Sequence, residues 1–294
     1  MKIFVNGGLG NQLFQFSYAH RAITKDKILE VYEDSNARDD RPFELKKIVS
    51  ECSHNTVIKK TKPFSLKLRL AVIKRLASRD LFTLVRITQY FFRTDLEVKP
   101  FFYSGALPNA YKSRTAAGYF QHWKLVEEAW PTFGKEMMKT LSEITLPKSL
   151  ESDVLGSLVM HVRQGDLNNV KDSMGILSLD YYLSAIDQMS KKNQNSNIFI
   201  LTDDINGAQK TFQGQNIHEF LGPESLTAWQ TLKLMSIAPN LVTANSTLSW
   251  WGGYIASKSG ANVVMPKPWF KNWHEEVGDA FYFSGIETLE SKYI

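Results

Sequence analysis

Three side chains in the segment MHVRQGD, residues 160–166, have types and spacing suited to phosphate chemistry. An extended strand would direct His161 and Arg163 to the same face, because side chains alternate along a strand. A guanidinium binds phosphate through paired hydrogen bonds, and a charge-assisted hydrogen bond contributes roughly 1.5–3 kcal/mol. Arg163 is therefore the predicted catalytic residue. The alternative is that Arg163 forms an ion pair with Asp166 that only holds the turn.

A second strand-like run, ILTDD at 200–204, ends in one hydroxyl and two carboxylates. Thr202, Asp203 and Asp204 can bind a base or a ribose, accept a proton, or cap the helix that follows. The chain contains no Asp-x-Asp pair, which disfavours a site that binds diphosphate through a divalent metal. We predict a site without a metal, whose positive charge comes from Arg163 and from helix N-termini.

Hydroxyl and amide side chains begin a helix-like segment in the run NSTLSWWGG. A helix N-terminus presents unpaired N–H groups to an anion, so this segment predicts an anion site. Trp250 falls on another face of the helix, where its ring can stack on a ligand ring or pack in an interdomain contact. The predicted anion contacts are Asn245, Ser246, Thr247 and Ser249.

The N-terminal run KIFVNGGLGNQLFQF is typical of a strand, a glycine loop and a helix. Gly8 and Gly10 match two glycines of the dinucleotide fingerprint, but Leu13 replaces the third, so a nicotinamide or flavin oxidoreductase is the weaker alternative. A Walker A loop is excluded, since no Gly-Lys-Ser/Thr follows the glycines. Asn11 and Gln12 are neutral amides that can hydrogen-bond a diphosphate or sugar hydroxyls, although Asn11 can instead cap the helix.

Apolar, β-branched runs alternate with helical stretches, which predicts an α/β fold with parallel sheets. The polar stretch 146–157 suggests a boundary between domains at 1–150 and 151–294, of which the first contains a helical insertion. Ligands of such sheets bind outside the carboxyl ends of the strands, so the polar strand ends are expected to meet at one crevice. The predicted strands are 2–6, 28–32, 157–162, 197–202, 240–245 and 262–266, and the clearest helices are 179–192 and 226–238.

The composition is that of a globular protein, with 43% hydrophobic and 22% charged residues in 294. No apolar run reaches 18 residues, and the N-terminus lacks the pattern of a signal peptide. Cys52 is the one cysteine, which excludes an intrachain disulfide and a cysteine-based zinc site. We expect a cytoplasmic protein.

Positive charge is concentrated in residues 57–94, which contain ten Lys or Arg and one acid, a net charge of +9 against +5 for the whole chain. The rest of the chain is therefore negative overall, unlike a general nucleic-acid-binding protein, and we expect no nucleic-acid partner. Leucine and isoleucine alternate with these charges. The segment is either a solvated helical face or a basic amphipathic surface that contacts an anionic membrane.

Several of these motifs together resemble the α-1,2-fucosyltransferases of glycosyltransferase family 11, both the bacterial enzymes and their animal blood-group relatives. The motifs are GGLGNQLFQFSYA, GYFQ, HVRQGD, LTDD and LMSIAPNLVTANSTLSWWGG, in this order. The resemblance implies a GT-B-like fold, with two Rossmann-like domains facing a cleft. It implies inverting transfer of L-fucose from GDP-β-L-fucose to the 2-hydroxyl of a galactose, with no cofactor and no required metal. The acceptor is expected to be a galactose-terminated oligosaccharide in O-antigen or capsule synthesis, lipid-linked at the inner face of the bacterial inner membrane.

The resemblance also implies roles for single residues. Arg163 would contact the donor diphosphate. The chemistry of inverting transfer, and not the resemblance, makes Asp166 the candidate base, with Asp172 or no protein base as alternatives. Gln121 and Trp250 are candidates for acceptor binding. A non-catalytic carbohydrate-binding protein remains another alternative, since the chain has seven tryptophans. The expected donor contacts are Gly10, Asn11, Gln12, His161, Thr202, Asp203, Asp204, Asn245, Ser246, Thr247 and Ser249.

Overall fold

The structure, a computed structural model, divides into two compact units, Met1–Thr140 and Leu141–Ile294. The division falls before the predicted boundary at residue 150. Most of the basic segment 57–94 lies outside the described residues. The structure describes residues 1–22, 28–33, 41–52, 55–60, 94–97, 115–169, 171–190, 197–272 and 277–294, with a few separate helical positions from 68 to 88.

The described part of the first unit is built on a parallel sheet in the order β3-β2-β1-β5-β4. The two predicted strands near the N-terminus are confirmed, and three further short strands were not predicted. The strands are β1 (Lys2–Val5), β2 (Leu29–Glu33), β3 (Thr56–Lys59), β4 (Thr94–Leu96) and β5 (Thr115–Ala117), and the helices are α1 (Leu9–Ala22), α2 (Lys46–Ser50) and α3 (Trp123–Glu143).

The second unit has a parallel sheet in the order β11-β10-β9-β6-β7-β8. The four strands and two helices predicted here are confirmed, so the α/β fold with two parallel-sheet units is confirmed. The strands are β6 (Leu158–Val162), β7 (Ile198–Thr202), β8 (Glu219–Leu221), β9 (Asn240–Val242), β10 (Asn262–Lys267) and β11 (Glu287–Glu290). The helices are α4 (Lys148–Leu155), α5 (Leu179–Ser190), α6 (Ile205–Thr211), α7 (Ala228–Ile237) and α8 (Thr247–Lys258), with a 3₁₀ turn at Asp166–Asn169.

Each sheet has a topological switch point, because the strands that follow its first strand in sequence lie on both sides of that strand. In the second unit β6 is followed by β7 and β8 on one side, and β9 to β11 lie on the other. In the first unit β1 has β2 and β3 on one side and β5 and β4 on the other. Ligands of open α/β sheets bind at the carboxyl end of such a switch point. The strand ends next to β6 and β9, and next to β1 and β5, are therefore where a site is expected in each unit.

The second unit's core contains a dense aromatic group from α8 and the segment after β10. Trp250 stacks on Tyr254 with 5.0 Å between ring centroids, and Trp269 stacks on Phe281 at 4.5 Å. These rings are buried, which anchors α8 and so fixes the position of its N-terminus. Among the described helices, none has the length and apolar character needed to span a membrane.

Candidate functional site

The turn after β6 is held by the side chain of Asp203, the residue that follows β7. The Oδ1 atom of Asp203 accepts from the Gln164 N–H at 2.9 Å, and Oδ2 accepts from the Asp166 N–H at 3.4 Å. A Cβ on Gly165 would lie 2.8 Å from Oδ2, so glycine permits this close approach. Asp203 is a predicted donor contact, and in this structure its carboxylate organises the turn that carries Arg163.

Arg163 is oriented by two carboxylates. Its Nη2 atom lies 2.8 Å from Oδ1 of Asp166, and its Nε atom lies 3.3 Å from Oδ2 of Asp203. The ion pair named as an alternative in the sequence analysis is therefore present. A guanidinium has five N–H donors in a planar fork, and these contacts engage the Nε–Nη2 edge. The arrangement gives Arg163 a defined orientation.

His161 is buried beneath this turn. Burial, followed by the charge of Arg163, lowers the pKa of the imidazole to about 4, so the ring is neutral at physiological pH. Its Nδ1 atom has no hydrogen-bond partner among the described residues. The predicted donor contact of His161 remains a prediction.

Two adjacent tyrosines of α5, which the sequence analysis missed, hold the strand ends at the switch point. The Tyr181 hydroxyl donates to the carbonyl of Thr243 at 3.0 Å, and the Tyr182 hydroxyl donates to the carbonyl of His161 at 3.3 Å. Both rings are buried, and burial raises the pKa of each phenol, so both hydroxyls stay protonated. One helix thereby fixes the separation of the ends of β6 and β9.

Thr202 and Asp204 form a helix cap rather than an open pair of donor-binding groups. Oδ1 of Asp204 accepts from the Gly207 N–H at 3.0 Å at the start of α6, and Oγ1 of Thr202 accepts from the Asp204 N–H at 3.1 Å. The capping alternative named in the sequence analysis is therefore present, and the donor contact of these two residues remains a prediction. The cause is local, because an aspartate that precedes a helix satisfies its first N–H groups.

The segment before α8 divides into buried and accessible residues. Ser249 is fully buried, and its Oγ accepts from the Ala244 N–H at 2.8 Å, so its predicted anion contact is corrected to a structural role. Ser246 is the N-cap and accepts from the Ser249 N–H at 3.2 Å. Ser246 and Thr247 are partly exposed and lie at the N-terminus of a 12-residue helix. They are the residues of this motif that an anion can reach.

Asn245 connects the same strand end to the loop before α5. Its Nδ2 atom donates to the carbonyls of Met174 and Gly175 at 3.0 and 3.1 Å. Its Oδ1 atom is buried without a hydrogen-bond partner among the described residues. A buried acceptor of this kind is normally paired, so Asn245 offers one hydrogen-bond position to a ligand or a water.

Trp250 does not present its ring to a ligand. It is fully buried, and its indole N–H donates to the carbonyl of Phe281 at 2.8 Å. The prediction that Trp250 binds acceptor is therefore wrong. The segment after β10 covers the helix face on which Trp250 lies.

In the first unit, α1 begins at Leu9, so Gly10, Asn11 and Gln12 form its first turn rather than a loop. Gly7 makes the turn with a φ of 77°, a conformation that favours glycine. Gln12 is buried, its Nε2 donates to the carbonyls of Gly7 and Pro42, and its Oε1 accepts from the Glu44 N–H. Its predicted donor contact is corrected to a structural link.

Asn11 and Gln121, which are far apart in the sequence, meet at the β1–β5 switch point. Nε2 of Gln121 donates to Oδ1 of Asn11 at 2.8 Å. Asn11 is partly exposed and Gln121 is largely buried. The two residues are predicted to contact donor and acceptor separately, whereas in the structure they form one amide pair.

The loop after β5 has an unusual backbone. Phe120 has a φ of 52°, which is rare for a bulky residue and costs of the order of 1–3 kcal/mol. The Glu97 carboxylate offsets this by accepting from the N–H groups of Tyr119 and Phe120 at 2.6 and 3.0 Å. The Phe120 ring stacks on Tyr18 with centroids 3.8 Å apart. The motif GYFQ pointed to this loop, but no sequence signal pointed to Glu97.

No group of three or more His, Cys, Asp or Glu side chains with the geometry of a metal site occurs within the described part of the chain. At the switch point of the second unit, Arg163 offers a cation and α8 offers a helix N-terminus.

The chain is similar to several known proteins. The O-antigen biosynthesis glycosyltransferase WbnK of Escherichia coli is 26% identical over 294 aligned positions, covering 90% of this chain and 93% of that protein. The alpha-1,2-colitosyltransferase of Escherichia coli is 29% identical over 152 positions, covering 46% and 52%. Among solved structures, E. coli heptosyltransferase WaaC with ADP aligns with a TM-score of 0.47 and 9% identity, covering 99% of this chain and 93% of that one.

The family described as Glycosyl transferase family 11 matches residues 1–283, a range that contains both switch points and every residue of the candidate site. The protein therefore belongs to glycosyl transferase family 11.

Proposed function

We propose that this glycosyltransferase moves L-fucose from GDP-β-L-fucose to the 2-hydroxyl of a galactose, with inversion and in an α-1,2 linkage. The observation that carries the proposal is Arg163, held by Asp166 and Asp203 at the β6–β9 switch point. A preoriented guanidinium stabilises the charge that grows on a leaving diphosphate without reorganisation during the reaction.

The N-terminus of α8 supplies the second part of the proposed diphosphate site. Ser246 and Thr247 lie in its first turn, where helix N–H groups and the helix dipole favour an anion. Arg163 with its two carboxylates has a net charge of −1, so Arg163 alone does not make the turn positive. The helix N-terminus is therefore needed for the diphosphate.

Asp166 is the proposed general base. Inversion requires the acceptor hydroxyl to attack the face of the sugar opposite the diphosphate, and a carboxylate near that hydroxyl can take its proton. In this structure Oδ1 of Asp166 lies 2.8 Å from Arg163, so the proton must go to Oδ2, or Arg163 must turn towards the diphosphate first. Asp172 and a reaction without a protein base are the alternatives.

A second donor is favoured by the relative that is named for colitose transfer. Colitose is fucose without its 3-hydroxyl, so the same diphosphate site can serve both donors. An O-antigen unit is the proposed context, because the relative that aligns over 90% of this chain is named for O-antigen biosynthesis.

The test is a release assay for GDP, with GDP-fucose or GDP-colitose as donor, with and without β-galactosides. We expect release that depends on acceptor, with a disaccharide product. The melting temperature should rise with GDP and not with UDP or NAD(P). Binding of glycans without release of GDP would instead support a carbohydrate-binding protein, and a shift with NAD(P) would contradict the proposal.

We further propose that the reaction takes place at an anionic membrane surface, in the cytoplasm. The segment 57–94 has a net charge of +9. Within it, the described helical residues include four apolar side chains that are 40–56% exposed: Leu68, Val72, Leu84 and Ile87. Apolar side chains among lysines and arginines suit a surface of anionic lipids, where a lipid-linked acceptor would be found.

A further inference from the structure

Tyr119 is the exposed aromatic residue of the loop after β5. It is 42% exposed, whereas the adjacent Phe120 is 5% and Gln121 is 8% exposed. It follows β5 at the switch point of the first sheet and precedes Gln121, whose side chain donates to Asn11, by two residues.

The backbone of Tyr119 is fixed on both sides of the residue. The Glu97 carboxylate accepts from its N–H and from that of Phe120. The Phe120 ring is anchored by its stack on Tyr18, with an interplanar angle of 7°. A Cβ on Gly118 would lie 2.3 Å from Cβ of Glu97, so glycine is needed for this approach. A strained and fully held backbone that keeps an aromatic residue at the surface is typical of a functional position.

We infer that Tyr119 is the platform on which the pyranose ring of the acceptor galactoside lies. This inference rests on the proposed function. The face of an aromatic ring carries partial negative charge, and galactose presents several C–H groups on one face, so the two surfaces are complementary. Asn11 and Gln121 supply the polar part of this subsite, because their mutual bond uses one oxygen and one nitrogen and leaves Nδ2 of Asn11 and Oε1 of Gln121 for sugar hydroxyls.

Acceptor binding, which the sequence predicted for Trp250 of the second unit, is thereby assigned to Tyr119 of the first unit. It also gives the strain a reason, because the backbone of Phe120 sets the direction of Tyr119 relative to Gln121. Glu97 is then a positioning residue, which acts on the acceptor only through this loop.

The experiment compares Tyr119→Ala and Tyr119→Phe with the wild type, and uses Met138→Ala as a control at another residue of the same unit that is 46% exposed. Acceptor KM is measured with methyl β-D-galactoside at saturating donor, and donor hydrolysis is measured without acceptor. We expect Tyr119→Ala to raise acceptor KM at least tenfold, with donor hydrolysis unchanged. Tyr119→Phe should stay within threefold of the wild type, and so should Met138→Ala.

Direct binding separates this inference from the proposed function. Saturation-transfer NMR of methyl β-D-galactoside should show signal from the ring C–H groups with the wild type, and at least a fivefold weaker signal with Tyr119→Ala. If the wild type transfers no sugar but shows this difference, the proposed reaction fails and the platform stands. If transfer occurs and Tyr119→Ala changes neither KM nor the NMR signal, or raises only the donor KM, the platform is overturned.

Discussion

Nη2 of Arg163 lies 2.8 Å from Oδ1 of Asp166, three residues further along the chain. The candidate catalytic cation and the candidate base are therefore neighbours before any substrate binds. Each limits the other, because a carboxylate oxygen beside a guanidinium is shielded from an incoming hydroxyl, and the guanidinium is partly neutralised. Substrate binding therefore has to break or lengthen the contact between Arg163 and Asp166.

Replacing Arg163 with Lys keeps the charge and removes the planar fork. Because an ammonium cannot contact Asp166, Asp203 and a phosphate with the same geometry, we expect at least a tenfold fall in transfer rate. Circular dichroism and melting temperature should be unchanged. Arg75→Lys, on an exposed helical residue, is the control, and equal kinetics for the two variants would contradict the role of Arg163.

Replacing Asp166 with Asn tests the base and the ion pair together. If Asp166 takes the proton, kcat should fall at least tenfold. GDP should bind as tightly as before or more tightly, because Arg163 is freed and one negative charge is lost. Asp172→Asn is the matched control. Near-normal turnover of Asp166→Asn would exclude it as the base, and loss of turnover only in the Asp172 variant would transfer the role there.

The strand ends and the α/β class could be predicted because they depend on local patterns: apolar runs, helical spacing and polar residues just after strands. These patterns could not predict which side chains face a ligand. Three residues have side chains of the types that bind ligands, yet each forms a hydrogen bond with a backbone N–H or carbonyl group of the protein. They are Asp203, Gln12 and Ser249. Glu97 was missed because its role depends on contact with a loop over 20 residues away.

Replacing Trp250 with Phe should affect stability rather than acceptor binding. The variant loses the hydrogen bond to Phe281 and leaves a space in the stack on Tyr254, for a cost of roughly 2 kcal/mol in the free energy of unfolding. Urea unfolding measures this change. Trp130→Phe, at a partly exposed residue, should cost less. A rise in acceptor KM without a loss of stability would restore Trp250 as a ligand-binding residue.

His161 should make the protein sensitive to mild acid. The unfolded chain protonates this ring near its ordinary pKa of 6.5, but the folded protein protonates it only near 4. Between these values the unfolded state binds more protons than the folded protein. The contribution of neutral His161 to the free energy of unfolding is therefore complete above pH 6.5 and is lost as the pH falls towards 4. We expect a loss of about 2 kcal/mol between pH 7.5 and pH 5. Urea unfolding of His161→Gln at both values should show a smaller difference, and an equal one would refute the assignment.

Charge reversal tests the membrane surface. The triple variant Lys74→Glu, Arg75→Glu and Arg79→Glu lowers the charge of residues 57–94 from +9 to +3. Each basic residue near an anionic membrane contributes about 1 kcal/mol, so the fraction that sediments with phosphatidylglycerol vesicles should fall at least tenfold. The wild type should bind less as salt is raised and should not bind phosphatidylcholine vesicles.

The control reverses three lysines of the second unit, Lys171, Lys210 and Lys258, which lowers the net charge of the whole chain by the same amount. If attraction depended only on overall charge, both triple variants would lose binding equally. If the segment 57–94 is the contact, only the first loses it, and replacing the exposed Leu68 and Val72 with Ser should weaken binding even at high salt, because apolar burial is not screened. Sedimentation that is the same for the wild type and the first triple variant would remove this surface from the proposal.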